Sequence, residues 1–176
     1  MSSLTKALVG HDVEVQTYRP GLEFRDGGKD LVILSGGGGE GLEIHDEHQP
    51  GRLWYEDEMD FIHNTDKNIL GICMGFEVIA RAYGAPITPI GLILDQEELQ
   101  LTKEGAGLFG TNKIRQHEAH SWRVQDVPSD FKVRATSRTG IEMFEHKDWE
   151  TGKTIVATQF HPEKGGTLKL SQLLSV

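Results

Sequence analysis

The chain has 176 residues, 37% of them hydrophobic, enough to bury a sizeable core in a single domain spanning 1–176. Its 18 lysines and arginines face 27 aspartates and glutamates, and the resulting net charge of −9 argues against nucleic acid as a ligand, because phosphate binding rests on basic side chains. A lone cysteine allows no intrachain disulfide, and with no signal-like start and no apolar run of membrane length the chain reads as cytoplasmic, without a membrane partner.

Residues 2–9 have the pattern of a helix end, with Leu4, Ala7 and Leu8 on one face. Val13 and Val15 then alternate with polar residues as far as Tyr18, which predicts a short edge strand. Leu31-Val32-Ile33-Leu34 is a continuous apolar run, as expected of a strand buried on both faces. It ends in Ser35-Gly36-Gly37-Gly38-Gly39-Glu40-Gly41, which formally contains G-x-G-x-x-G at Gly36, Gly38 and Gly41. A dinucleotide site requires a helix to open there, and the polar stretch 42–51 has no helical period. The glycines therefore read either as a flexible loop or as backbone that comes close to a ligand with its N–H groups free to donate. A helix with Tyr55, Met59 and Ile62 on one face is predicted over 53–64.

Asn68-Ile69-Leu70-Gly71-Ile72 leads into Cys73-Met74-Gly75-Phe76-Glu77, and Phe76, Ile79, Ala80 and Tyr83 continue at helical spacing to Gly84 and Pro86. A strand, a tight Gly-x-Cys-x-Gly turn and a helix make the thiol version of a nucleophile elbow. The glycines are needed where a β-carbon would clash, and a helix N-terminus favours the thiolate. A buried structural cysteine is the alternative reading of the same residues. The order strand, loop, helix, strand, helix marks a parallel α/β sheet. After Pro86 short runs follow at Leu92–Leu94, Leu99–Leu101, Lys113–Arg115, Phe131–Ala135 and Ile141–Phe144, which suggest antiparallel pairs beside that sheet. Thr154–Thr158 reads as another buried strand, and Leu168, Leu170, Leu173 and Leu174 as a short closing helix.

That last strand runs into Gln159-Phe160-His161-Pro162-Glu163. A nucleophilic thiol needs a base, and the base needs an orienting partner. His161 can be the base, and Pro162 restricts the backbone so that Glu163 can reach the far ring nitrogen.

Gly71-Ile72-Cys73-Met74-Gly75 together with Gln159–Glu163, and Ile33-Leu34-Ser35-Gly36-Gly37 ahead of them, resembles the class I (triad) glutamine amidotransferases from about residue 12 to the end. The resemblance implies a flavodoxin-like, mostly parallel α/β sheet flanked by helices, with a small antiparallel extension. It implies hydrolysis of glutamine through a γ-glutamyl thioester, without a cofactor, with Cys73 as nucleophile, His161 as base and acid, and Glu163 as orienter. The oxyanion would be held by the backbone N–H groups of Gly37 and Met74. The segment at His120-Ser121 would help to hold the substrate, as would Glu77. Ammonia would pass to a separate synthetase subunit, and a homo-oligomer is compatible with the pattern.

Three departures sharpen these expectations. The family usually has glutamine where Glu77 stands, which points towards the related γ-glutamyl peptide hydrolases as an alternative, beside a non-catalytic binding subunit. It commonly has proline where Gly38 stands. It normally begins with a central strand ahead of the first helix, so the first strand is expected to be missing, with the N-terminus truncated, the gap filled by another segment or a second subunit, or the sheet rearranged. A metal hydrolase would use His45/His48 and His117/His120, but these pairs read as loop histidines and no metal is expected.

Overall fold

Three uninterrupted apolar runs and two long alternating ones decide the architecture. The computed structural model describes residues 2–18, 21–37, 53 and 55–174. In chain order these hold α1 (Ser3–Ala7), β1 (Leu31–Leu34), α2 (Glu56–Asn64), β2 (Asn68–Ile72), α3 (Met74–Ala82), β3 (Ile87–Leu101) and α4 (Lys103–Phe109). They continue with β4 (Lys113–Val124), β5 (Lys132–Thr136), β6 (Ile141–Lys147), β7 (Thr154–Thr158), a 3-10 turn at Pro162–Lys164 and α5 (Leu170–Leu173). None of the described helices is long and apolar enough to cross a membrane.

β1, β2 and β7 lie side by side in parallel, with Leu34 opposite Gly71 and Ile72 opposite Thr158. Antiparallel pairing of β7 with β6 joins them to the remaining strands. Here the expected flavodoxin-like, mostly parallel sheet is overturned. Only β1–β2 and β2–β7 are parallel, whereas β3, β4, β6 and β5 pair antiparallel in a ring and close a small four-stranded barrel. Connection length is the physical reason. A parallel crossover takes a dozen or more residues, usually a helix packed back on the sheet. β3 and β4 are separated by little more than the seven-residue α4, and β5 and β6 by a tight turn in which the Ser137 N–H donates to the Gly140 carbonyl. Such short joins leave only antiparallel neighbours, and the long β3 and β4 curl until β3 reaches β5 at Leu101 and Ala135.

Two further expectations change. Residues 12–18 form no strand; Val13 and Val15 are exposed, and the Gln16 side chain bonds the Arg25 backbone where a ladder would have been. The separate runs at Leu92–Leu94 and Leu99–Leu101 are one strand, β3, bent at an irregularity between Pro89 and Ile93 that Gly91 carries at φ 85°. Among the described residues no strand precedes β1, and its outer edge has no ladder partner.

Helices α2 and α3 cover one face of the sheet. Tyr55, Ile62, Phe76, Val78 and Ile79 are fully buried there, and Phe76 meets Phe144 with ring centres 4.7 Å apart. A second core joins Leu70, Ile72 and Cys73 to Leu99, Ile114, Ala135 and Met143 of the barrel strands, and to Leu170 and Leu173 of α5. The cysteine thus lies where the parallel strands meet the barrel.

Candidate active site

Cys73 sits between β2 and α3 with φ 55° and ψ −107°, and among the described residues it is the only non-glycine with positive φ. Such a conformation costs on the order of 1–3 kcal/mol and persists only where neighbours enforce it. Its N–H donates to the Thr158 carbonyl of β7 at 2.8 Å, and its own carbonyl accepts from the Glu77 N–H at 3.2 Å. The flanking glycines follow from close approach. A β-carbon on Gly75 would run into the Leu34 carbonyl, and one on Gly71 would lie 2.5 Å from Ile79 Cδ1 and 3.0 Å from the Gly75 carbonyl oxygen.

β7 delivers His161 to the same place. Its backbone N–H donates to the His117 carbonyl at 2.9 Å, and Pro162 opens the 3-10 turn that brings Glu163 back. His161 Nδ1 lies 2.7 Å from Glu163 Oε1, both side chains being buried. With Nδ1–H donating to the carboxylate, Nε2 becomes the acceptor, and this buried Nε2 has no hydrogen-bond partner. Burial opposes ionisation of Glu163, but the bond to His161, aided by Lys164, holds its carboxyl below the usual range. Gly36, just past β1, completes the contact: a β-carbon there would lie 2.8 Å from Cys73 Cβ, 3.4 Å from Cys73 Sγ and 3.3 Å from His161 Cε1. Three segments distant in sequence therefore converge on one point.

The thiol is not ionised at rest. Burial pushes it up to about 12, the Glu77 and Glu118 charges push the same way, and the Met74 N–H and Lys164 oppose them without prevailing. The helix N-terminus expected to favour thiolate is outweighed by desolvation, the larger effect at 8% exposure. The S–H instead donates weakly to the Ala119 carbonyl of β4 at 3.5 Å. A protonated thiol is a weak nucleophile until its proton is removed.

Of the other expected site residues, Gly37 has φ 108° and open space around its Cα, and Met74 presents its N–H to the thiol. Gly38, the rest of the glycine run, and His45 and His48 lie outside the described residues. Glu77 is buried, its Oε1 accepting from Gln159 Nε2 at 2.8 Å, and burial pushes its carboxyl up to about 7. His120 is engaged through Nδ1 with the Trp122 carbonyl at 2.6 Å and through Nε2 with Glu118 Oε2 at 3.3 Å, while Ser121 is half-buried beside it. His117 does not join His120; its ring stands 6.0 Å from that of His161.

Residues 2–175 match the family model for class-I glutamine amidotransferases. The chain belongs to that family. It is 32% identical over 117 residues to a glutamine-hydrolyzing GMP synthase subunit of Methanobrevibacter smithii, covering 65% of this chain and 60% of that protein. It is 31% identical over 108 residues to anthranilate synthase component 2 of Haemophilus influenzae, covering 60% and 54%. Among solved structures, a candidate GMP synthase subunit from Thermoplasma acidophilum superposes with a TM-score of 0.61 at 29% identity, covering 77% of this chain and 64% of that one. The matches thus span roughly 54–64% of the length of these relatives.

Beside its single cysteine this amidotransferase domain buries a group that the sequence pattern did not reveal. Glu118 and His120 of β4 meet Glu142 of β6, with one ligand-capable atom from each within 4.8 Å of the others. Burial and the neighbouring Glu118 charge push the Glu142 carboxyl up to about 7. The available signal was period two: Gln116, Glu118 and His120 alternate in step with the buried Ile114, so the polar residues occupy the inward face. Gln159, whose side chain holds Glu77, was the other omission.

Proposed function

We propose that this domain hydrolyses the side-chain amide of glutamine and passes the ammonia to a partner synthetase. His161 Nε2 takes the thiol proton as Cys73 Sγ attacks the γ-carbonyl, and the oxygen turns towards the N–H groups of Gly37 and Met74. That attack forms the C–S bond; collapse of the tetrahedral intermediate re-forms the carbonyl and breaks the C–N bond, with His161 giving its proton to the leaving nitrogen so that ammonia departs and the thioester remains. Water, deprotonated by His161, then cleaves the thioester to glutamate and regenerates the thiol. Glu163 touches neither substrate nor thiol; it holds the imidazole tautomer that leaves Nε2 as acceptor.

The observation that carries this reading is the convergence of Gly36, Cys73 and the His161–Glu163 pair on one point. The names of the relatives, a glutamine-hydrolyzing synthase component among them, support ammonia transfer to a synthetase. Cys73→Ala should abolish release of ammonia from glutamine, with or without the partner, and a γ-glutamyl chloromethyl ketone should add its mass to Cys73 alone. Unchanged hydrolysis in Cys73→Ala would sink the reading. Buried Glu77 supports a second reading, a γ-glutamyl peptide hydrolase. Rates on glutamine and on a γ-glutamyl dipeptide, measured side by side, separate the two.

A further inference from the structure

The Glu118–His120–Glu142 group has the donor set of a metal site, and its two buried carboxylates share a single basic neighbour, His120, 3.3 Å from Glu118. Glu118 is 1% exposed and neither of its carboxylate oxygens accepts a hydrogen bond, Oε2 facing only His120 Nε2 at 3.3 Å; Glu142 is 2% exposed and its Oε2 accepts none either. A buried carboxylate oxygen without a donor is costly, and two such groups side by side cost more. The remaining atoms are already oriented. Ser137 Oγ and Thr139 Oγ1 donate to Glu142 Oε1 at 2.5 and 3.0 Å, which turns Oε2 towards the group. His120 Nδ1 donates to the Trp122 carbonyl at 2.6 Å, which leaves Nε2, on the side of Glu118, as the ring atom that can bind an ion in exchange for any proton it carries. The three side chains line a cavity of about 10 Å³ together with Ile93, Leu99 and Arg138, room for about one water-sized sphere. Arg138 does not neutralise the carboxylates: it is largely exposed and lies 3.5 Å from Glu97.

From these contacts we infer that Glu118, His120 and Glu142 bind one divalent cation of the zinc class. Two carboxylates and a neutral imidazole match a doubly charged ion in charge, and one nitrogen with two oxygens suits Zn²⁺ better than Mg²⁺ or Ca²⁺, which prefer all-oxygen shells. The hydroxyls of Ser137 and Thr139 and the Trp122 carbonyl are the outer partners that such ligands normally have. The ion ties β4 to β6, strands joined by the single register pair Val124–Ile141, and so braces the barrel beside Ala119, whose carbonyl receives the thiol.

The test is calorimetric titration of the full chain with Zn²⁺, without substrate, so that its outcome is independent of the hydrolytic reading. We expect about one ion per chain, affinity lowered about tenfold or more by Glu118→Gln and by Glu142→Gln, and no change in Cys73→Ala. A chelator should lower Tm in the wild type and leave it unchanged in Glu118→Gln. Should either variant fail to fold, Co²⁺ added to the wild-type chain decides: visible d–d bands without a thiolate charge-transfer band support the site, and a thiolate band places the ion on Cys73 and overturns it. No Zn²⁺ uptake, which would mean that protons alone neutralise the group, or binding that survives Glu118→Gln with Glu142→Gln, also overturns it.

Discussion

Gly36 and Cys73 approach so closely that a β-carbon on Gly36 would stand 2.8 Å from the β-carbon of Cys73, nearer than two such atoms pack. Gly36 is not in the left-handed region, so its backbone tolerates alanine and the penalty is purely steric. Gly36→Ala should displace Cys73 or His161 by a few tenths of an ångström and lower glutamine hydrolysis about 100-fold, as small misplacements of reacting groups do. Stability should fall much less than activity, because the new methyl group meets Cys73 at the edge of the second core and no backbone atom. Turnover and Tm measured together check this; full activity in a folded Gly36→Ala protein would refute the contact.

Gly75→Ala should act differently. Its β-carbon runs into the Leu34 carbonyl, backbone against backbone, so neither side can yield by changing rotamer. The expected cost is about 2–4 kcal/mol of stability, read as a lower urea midpoint, accompanied by loss of activity because the elbow moves with α3.

Glu77→Gln tests the one site residue that departs from the family's usual glutamine. The Glu77 charge is, after burial, the largest influence raising the Cys73 thiol, so its removal should lower the thiol pKa. The pH profile of Cys73 alkylation by iodoacetamide should shift to lower pH. The rate ratio of glutamine to γ-glutamyl dipeptide should rise as the site becomes neutral. An unshifted profile would mean that Glu77 is already protonated throughout the range tested.

Glu58 makes stability depend on pH. Burial alone pushes its carboxyl from the ordinary 4.5 up to about 7, and its Oε2 has no partner. Between these values the folded chain keeps a proton that the unfolded chain has released, so stability is full below about pH 4.5, falls as pH rises to about 7, and levels off above. Glu58→Gln should abolish this contribution, gaining up to about 3 kcal/mol at pH 8 and almost nothing at pH 4. Urea unfolding of both proteins at the two pH values measures the difference.

Features governed by nearby residues were legible in the sequence. Leu31–Leu34, Asn68–Ile72 and Thr154–Thr158 announce buried strands because no polar residue interrupts them, and the helix after Cys73 is legible through its spacing and the glycine at its end. The elbow glycines and His161-Pro162-Glu163 were legible because tight turns restrict which residues can occupy them. What escaped depends on chain ends meeting far apart. Nothing local to Leu101 or Ala135 says that they pair, and closure of the barrel follows from the joint curl of β3 and β4. The neutral state of Cys73 was hidden for a related reason. The macrodipole belongs to α3 alone, whereas the desolvation that defeats it is supplied by β1, β4 and β7 together. The period of β4 alone turns Glu118 inward, but its meeting with Glu142 follows only once β4 and β6 are placed.

The high pKa of the Cys73 thiol has a consequence outside the reaction. Peroxide and disulfide exchange both attack through the thiolate, and a thiol pushed up to about 12 is almost wholly protonated at neutral pH. Burial therefore protects the chain's lone sulfhydryl, and in the proposed mechanism the same burial delays proton transfer until a substrate arrives. An idle site of this kind ages slowly under oxidising conditions, and in the proposed mechanism the hazard is confined to the brief interval in which His161 holds the proton.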